Sequence, residues 1–130
     1  MKRLAATERD ELRAVCDWLS WQRLGGRPLV FCHPPNEKNR KGPPRVGVRA
    51  GLPDLLIFTP PLGQVGRFGQ VISYVGAAIE LKRTHGGRVT PEQIRWLEDL
   101  RDVGWATALC EGADEAIRFL EPLYVLAKRR

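Results

Sequence analysis

Apolar positions recur along this chain with two different periods. Between residues 7 and 23, Leu12, Val15, Cys16 and Leu19 follow the spacing of one helix face, behind a first turn carrying Glu8, Asp10 and Glu11. Thr7 precedes that turn as an N-cap, and Gly25-Gly26 is expected to end the helix. A second helical face, Ile94, Leu97 and Leu100, opens on Thr90-Pro91-Glu92-Gln93. There the threonine caps, the proline takes the first helical position and the glutamine takes the capping-box position. Gly104 closes it. The other apolar runs are short, bounded by glycine and proline, and read as strands: residues 28–32, 52–59, 71–81 with a break expected at Gly76, and 105–110. A last helix covers residues 114–120, after which Tyr124-Val125-Leu126 either continue it or add an edge strand. The order α-β-β-β-α-β-α, with no internal repeat, predicts an α/β fold with a central mixed β-sheet flanked by α-helices. A length of 130 residues suits a single domain over residues 1–130.

Residues 33–44 are polar, basic and proline-rich and are expected to form an exposed loop, and residues 60–69 form a hairpin loop that carries Arg67 and Phe68. Trp18, Trp21, Trp96 and Trp105 lie within or just after apolar helical patterns, which favours core packing over base stacking. Cys16, Cys32 and Cys110 are odd in number and far apart, so buried thiols in a reducing compartment are a better account than disulfides or zinc. No apolar run approaches the ~20 residues of a membrane span. The basic start Met1-Lys2-Arg3 leads into charged residues instead of an apolar signal, so a cytoplasmic, membrane-free protein is expected.

Charge sharpens the picture. The net charge of +6 favours polyanionic partners through release of their counterions. Arg40, Lys41, Arg45 and Arg49 precede one acidic motif, Lys82, Arg83 and Arg88 follow another, and Lys128-Arg129-Arg130 stand at the end of the sequence. Those motifs are Gly51-Leu52-Pro53-Asp54 and Ile79-Glu80-Leu81-Lys82. Strand residues two apart share a face, so Glu80 and Lys82 lie side by side with Leu81 opposite. Either this is the solvated side of an edge strand, or it is a metal ligand beside a lysine that serves the attacking water. Asp54, at the start of an apolar strand, is unfavourable unless solvated, paired or coordinated; as a plain strand-entry residue it would bond nearby backbone N–H groups. If the two strands are neighbours, Asp54 and Glu80 meet at one end, a donor set of oxygens suited to Mg²⁺ or Mn²⁺.

The series Gly-x-Pro-Asp then Glu-x-Lys resembles the PD-(D/E)xK nuclease superfamily. The longer order resembles its virus-type replication-repair nuclease (VRR-NUC) domain: Pro35-Asn36-Glu37, residues 47–54, Ile79-Glu80-Leu81-Lys82-Arg83, residues 86–93 and Asp114-Glu115-Ala116-Ile117. The matching pieces span nearly the whole sequence, so a free-standing domain is expected.

The resemblance implies a restriction-endonuclease-like fold and metal-dependent hydrolysis of DNA phosphodiesters. It implies Asp54 and Glu80 as metal-binding acids, the Leu81 carbonyl as a further ligand, Lys82 as the catalytic lysine, and Gln93 beside it at a helix start. The family also carries a glutamate on its first helix, facing the active site. Glu8 fits this position first and Glu11, one turn later, is the substitute, while either also serves the helix dipole. Asn36, Arg40, Lys41, Arg49, Arg83 and Arg88 are expected against the phosphate backbone. His33 reads as a solvated loop histidine. The resemblance further implies an intracellular bacterial or phage-encoded homodimer acting on flapped or four-way-junction DNA, with no small-molecule organic cofactor. The rival readings are a non-catalytic nucleic-acid-binding module, and a nuclease of the same chemistry acting in restriction or on RNA.

Overall fold

The computed structural model describes residues 7–34, 47, 49–83 and 87–126. In chain order it runs α1 (Glu8–Trp21), β1 (Arg23–Leu24), β2 (Arg27–Pro28), β3 (Phe31–Cys32), β4 (Leu55–Ile57), β5 (Gln64–Val65), β6 (Val71–Ile72), β7 (Ala77–Lys82), α2 (Pro91–Asp102), β8 (Ala106–Glu111) and α3 (Ala113–Tyr124).

Both long helices start as their sequences dictate. The Thr7 hydroxyl accepts from Asp10 N–H while the Asp10 carboxylate accepts from Thr7 N–H, each at 3.1 Å. Thr90 and Gln93 make the same reciprocal pair, with Pro91 in the first turn. The third helix has Gly112 at its N-cap, which offers no side chain. The Glu11 carboxylate of α1 accepts from Ala113 N–H instead, so one helix caps another.

The main sheet is mixed and 4-stranded, in the order β3-β4-β7-β8, antiparallel except for the β7–β8 pair. All of β7 is buried, because helices cover both faces of the sheet there. Ala77, Ile79 and Leu81 join Val15 and Leu19 of α1 and Leu120, Leu123 and Tyr124 of α3 in the main core. The strand alternation turns Ala78, Glu80 and Lys82 to the other face, where α2 lies.

Several boundaries differ from the expected ones. The first helix stops at Trp21, and Gly25-Gly26 turn a small hairpin between β1 and β2. The run 71–81 is split, as the glycine at 76 foretold, into β6 and β7; β6 pairs with β5, a short strand within the segment expected as a hairpin loop. The last helix continues through Pro122 to Tyr124, and its end is tied down by Leu62 N–H on Leu123 O (2.7 Å) and Gln64 Nε2 on Pro122 O (2.9 Å). Trp21 is 83% exposed, against the expected core role, while Trp105 meets Phe58 edge-on at 6.0 Å. Of the thiols only Cys110 is fully buried, whereas Cys32 is exposed on the edge strand. Among the described residues no helix is long and apolar enough to cross a membrane.

Candidate active site

The β4–β7 register aligns Leu55 with Ile79, and one residue further Asp54 stands level with Glu80. Asp54 lies just outside the ladder, so its carboxylate can replace a strand partner: Asp54 Oδ2 accepts from Leu81 N–H at 2.7 Å. Successive carbonyls of a strand alternate sides. The Lys82 carbonyl faces β8, where Gly112 N–H donates to it at 2.8 Å, so the Leu81 carbonyl is turned to the Asp54 side.

Glu80 and Lys82 are almost fully enclosed, at 2% and 5% exposure. Lys82 Nζ lies 3.1 Å from Glu80 Oε1, and Gln93 Nε2 donates to the same oxygen at 2.7 Å. Gln93 Oε1 meanwhile accepts from Thr90 N–H at 2.9 Å. One amide thus caps the helix and orients the glutamate, and the two roles expected of it coexist. Both donors sit on Oε1, which leaves Glu80 Oε2 buried without a hydrogen-bond partner. Such an atom is costly unless a cation meets it or it holds a proton shared with the Asp54 carboxylate. Burial, then the adjacent Asp54 carboxylate, push Glu80 up to about 7, against the opposing pull of Lys82.

Two glycines let the pieces approach. A side chain at Gly51, whose φ is +90°, would meet the Glu92 carbonyl carbon at 2.6 Å and Gln93 N at 2.8 Å, so the turn before Asp54 lies directly on the first turn of α2. A Cβ at Gly87 would stand 2.8 Å from Lys82 Cβ, so Gly87 lies directly against the lysine's stem.

The VRR-NUC domain family model matches residues 2–114. The chain belongs to the VRR-NUC family. A solved structure described as a VRR_NUC domain protein shares 29% identity at a TM-score of 0.69, over 91% of this chain and 88% of that one. No curated protein matches. VRR-NUC is a nuclease-type family, and its restriction-endonuclease-like mixed α/β architecture is the one described above.

Within this VRR-NUC domain Asp54, Glu80, the Leu81 backbone, Lys82 and Gln93 are gathered at one place. Other residues read from the sequence stand elsewhere. Glu8 is exposed in the first turn of α1, whereas Glu11 is half-buried and reaches Ala113 N–H at the start of α3. Among the described residues no three His, Cys, Asp or Glu side chains converge to hold an ion, so Glu8 does not join Asp54 and Glu80 in this arrangement. Arg83 and Arg88 are both exposed. Arg49 is turned onto α2, with its guanidinium 2.7 Å from Asp99 and 4.5 Å above the Trp96 ring. Asn36, Arg40 and Lys41 lie outside the described residues.

His33 is exposed, as expected of a solvated loop histidine, yet it also touches the candidate site. Its Nδ1 lies 2.6 Å from the Asp54 carbonyl oxygen, across from β4 on the chain leaving β3. A lone histidine among prolines gives no sign of this; only the β3–β4 register brings it beside Asp54.

Proposed function

We propose that this VRR-NUC domain is a Mg²⁺- or Mn²⁺-dependent endonuclease that hydrolyses DNA phosphodiester bonds. The observation that carries the reading is the buried, unpartnered Glu80 Oε2 beside the Asp54 carboxylate, with a lysine on the same face of the strand. Hard oxygen donors from two carboxylates and the Leu81 carbonyl fit a small divalent ion, which when bound would polarise the phosphate and acidify a water.

The chain's own groups divide the remaining work. Gln93 and Lys82 fix Glu80 by its Oε1, so Oε2 keeps one direction. Asp54 is held by Leu81 N–H, which ties the spacing of the two acids to the strand. The Lys82 ammonium, enclosed and pinned to Glu80, places a positive charge where negative charge builds on the phosphate, in a site dry enough for that charge to count. Phosphate backbone approaching this mouth would meet Arg83 and Arg88 first, contacts that position without reading sequence.

Selectivity for flaps or four-way junctions, by a homodimer, belongs to the same proposal. Resolving a junction takes two incisions, and one domain of this size supplies a single site. Linear, flapped, four-way-junction DNA and RNA should be incubated with the protein in Mg²⁺, Mn²⁺ or EDTA. Branched DNA cut in either metal, silent in EDTA and lost in Glu80→Ala, is the expected result. Cleavage unaffected by EDTA or by that substitution would overturn the proposal. DNA binding without cleavage of any substrate would make the chain a non-catalytic module.

A further inference from the structure

The turn that delivers Asp54 is anchored at its far end, where Pro53 is buried and Asp54 meets Leu81 N–H and His33, but its head depends on α2. Residues 50–54 form no strand, and Gly51 merely leans on the backbone of Glu92 and Gln93. Arg49, at the head of that turn, touches α2 in three ways. Its guanidinium pairs with Asp99 at 2.7 Å and lies 4.5 Å over the Trp96 ring, and its carbonyl accepts from Trp96 Nε1 at 3.2 Å. The ion pair is half-exposed and contributes little alone. A flat guanidinium held between a carboxylate and an indole, on a residue whose backbone is also bonded, fixes both position and direction.

We infer that Arg49 is a positioning residue: it latches residues 50–54 onto α2 and so keeps the Asp54 carboxylate level with Glu80. The structure contains a closed circuit of contacts. Arg49 joins the turn to Trp96 and Asp99, and α2 carries Gln93, which holds Glu80. Glu80 is one residue from Leu81, whose N–H holds the Asp54 carboxylate. Opening the circuit at Arg49 frees one acid relative to the other while leaving the core on the opposite sheet face untouched. A guanidinium already neutralised by Asp99 and covered by an indole is also a poor phosphate ligand, the role its basicity alone suggests.

The inference rests on the metal-dependent reading for its consequence, but its geometry is testable without any metal. The Leu81 amide is bonded to Asp54 Oδ2, so its hydrogen exchange in the metal-free full chain reports directly on the turn. Arg49→Ala should speed Leu81 exchange by about tenfold while the Ile79 and Leu109 amides keep their rates. It should also weaken Mn²⁺ binding, followed by calorimetry without DNA, by about tenfold, as expected when a group that orients metal ligands is removed. Arg49→Lys, which keeps a charge for Asp99 but no flat face, should fall between. Trp96→Phe, milder to the fold, should show the same pattern more weakly and serves if Arg49→Ala unfolds.

DNA affinity in EDTA should not change. Unchanged Leu81 exchange in Arg49→Ala, together with weaker DNA binding and a salt slope shallower by about one phosphate contact, would overturn the inference and make Arg49 a DNA ligand. Wild-type protein that binds no Mn²⁺ would sink the metal-dependent function, and the exchange result would still decide the latch.

Discussion

Replacing Glu80 by glutamine should make the metal-free protein more stable, and increasingly so as pH rises. The carboxylate is 2% exposed, its Oε2 has no partner, and Asp54 adds a second negative charge beside it. Together these lift its pKa from the ordinary 4.5 to about 7. Between those values the folded protein keeps a proton that the unfolded chain has released. Wild-type stability therefore falls as pH rises through that window and levels off above it. The shift corresponds to roughly 3 kcal/mol, or about 10 °C in Tm for a domain of this size.

Glutamine keeps an Oε1 acceptor for Lys82 and Gln93 and offers an N–H to Asp54, so only the ionisation is removed. The assay is urea unfolding in EDTA of wild type and Glu80→Gln across pH 4.5 to 8, read as the difference between them. The difference cancels other titrating groups and should open in favour of the variant by most of that 3 kcal/mol, roughly, above pH 7. Added Mn²⁺ should then stabilise the wild type and not the variant. A difference that stays flat across the range would show that ionising Glu80 costs nothing in the folded state, and the electrostatic account of the site would fail.

Other substitutions separate chemistry from scaffold. Lys82→Met keeps the stem that packs under Gly87 and removes only the ammonium, so cleavage should fall by about 10²–10³-fold with Mn²⁺ affinity little changed in calorimetry. Gly51→Ala forces a side chain into the α2 backbone at a positive φ. It should cost about 2 kcal/mol or more in urea unfolding and abolish most cleavage. Tyr124→Phe loses the bond from its hydroxyl to the Thr59 carbonyl, 2.8 Å long and made by neither acid, lysine nor glutamine of the site. It should cost about 1 kcal/mol and leave cleavage per folded molecule unchanged.

Local chemistry was written plainly in the chain. Thr7 with Asp10, and Thr90 with Pro91 and Gln93, start the long helices where short-range rules place them, because capping joins residues three apart. The break at Gly76 and the shared face of Glu80 and Lys82 follow equally from local spacing. The residues of the candidate site were legible through the order of their motifs. What was not legible is what depends on register or on a distant partner: the pairing of β5 with β6, the choice of helix over edge strand beyond Pro122, the exposure of Trp21 and Cys32.

The same division runs through the site. The sequence by itself determined that Glu80 and Lys82 would share one strand face, since strand periodicity sets which side chains lie together, whereas the pairing that brings Asp54 level with Glu80 was only a condition until register met it. Only the tertiary structure decided that Glu80 would be buried with one oxygen held twice and the other left bare. It also decided that His33 and Glu11 would serve the Asp54 backbone and the third helix, and that Arg49 would lie on Trp96. The physical reason is range. Periodicity and capping act over a few residues, whereas burial, pKa and partner choice are set by groups that meet only when the sheet and its helices close.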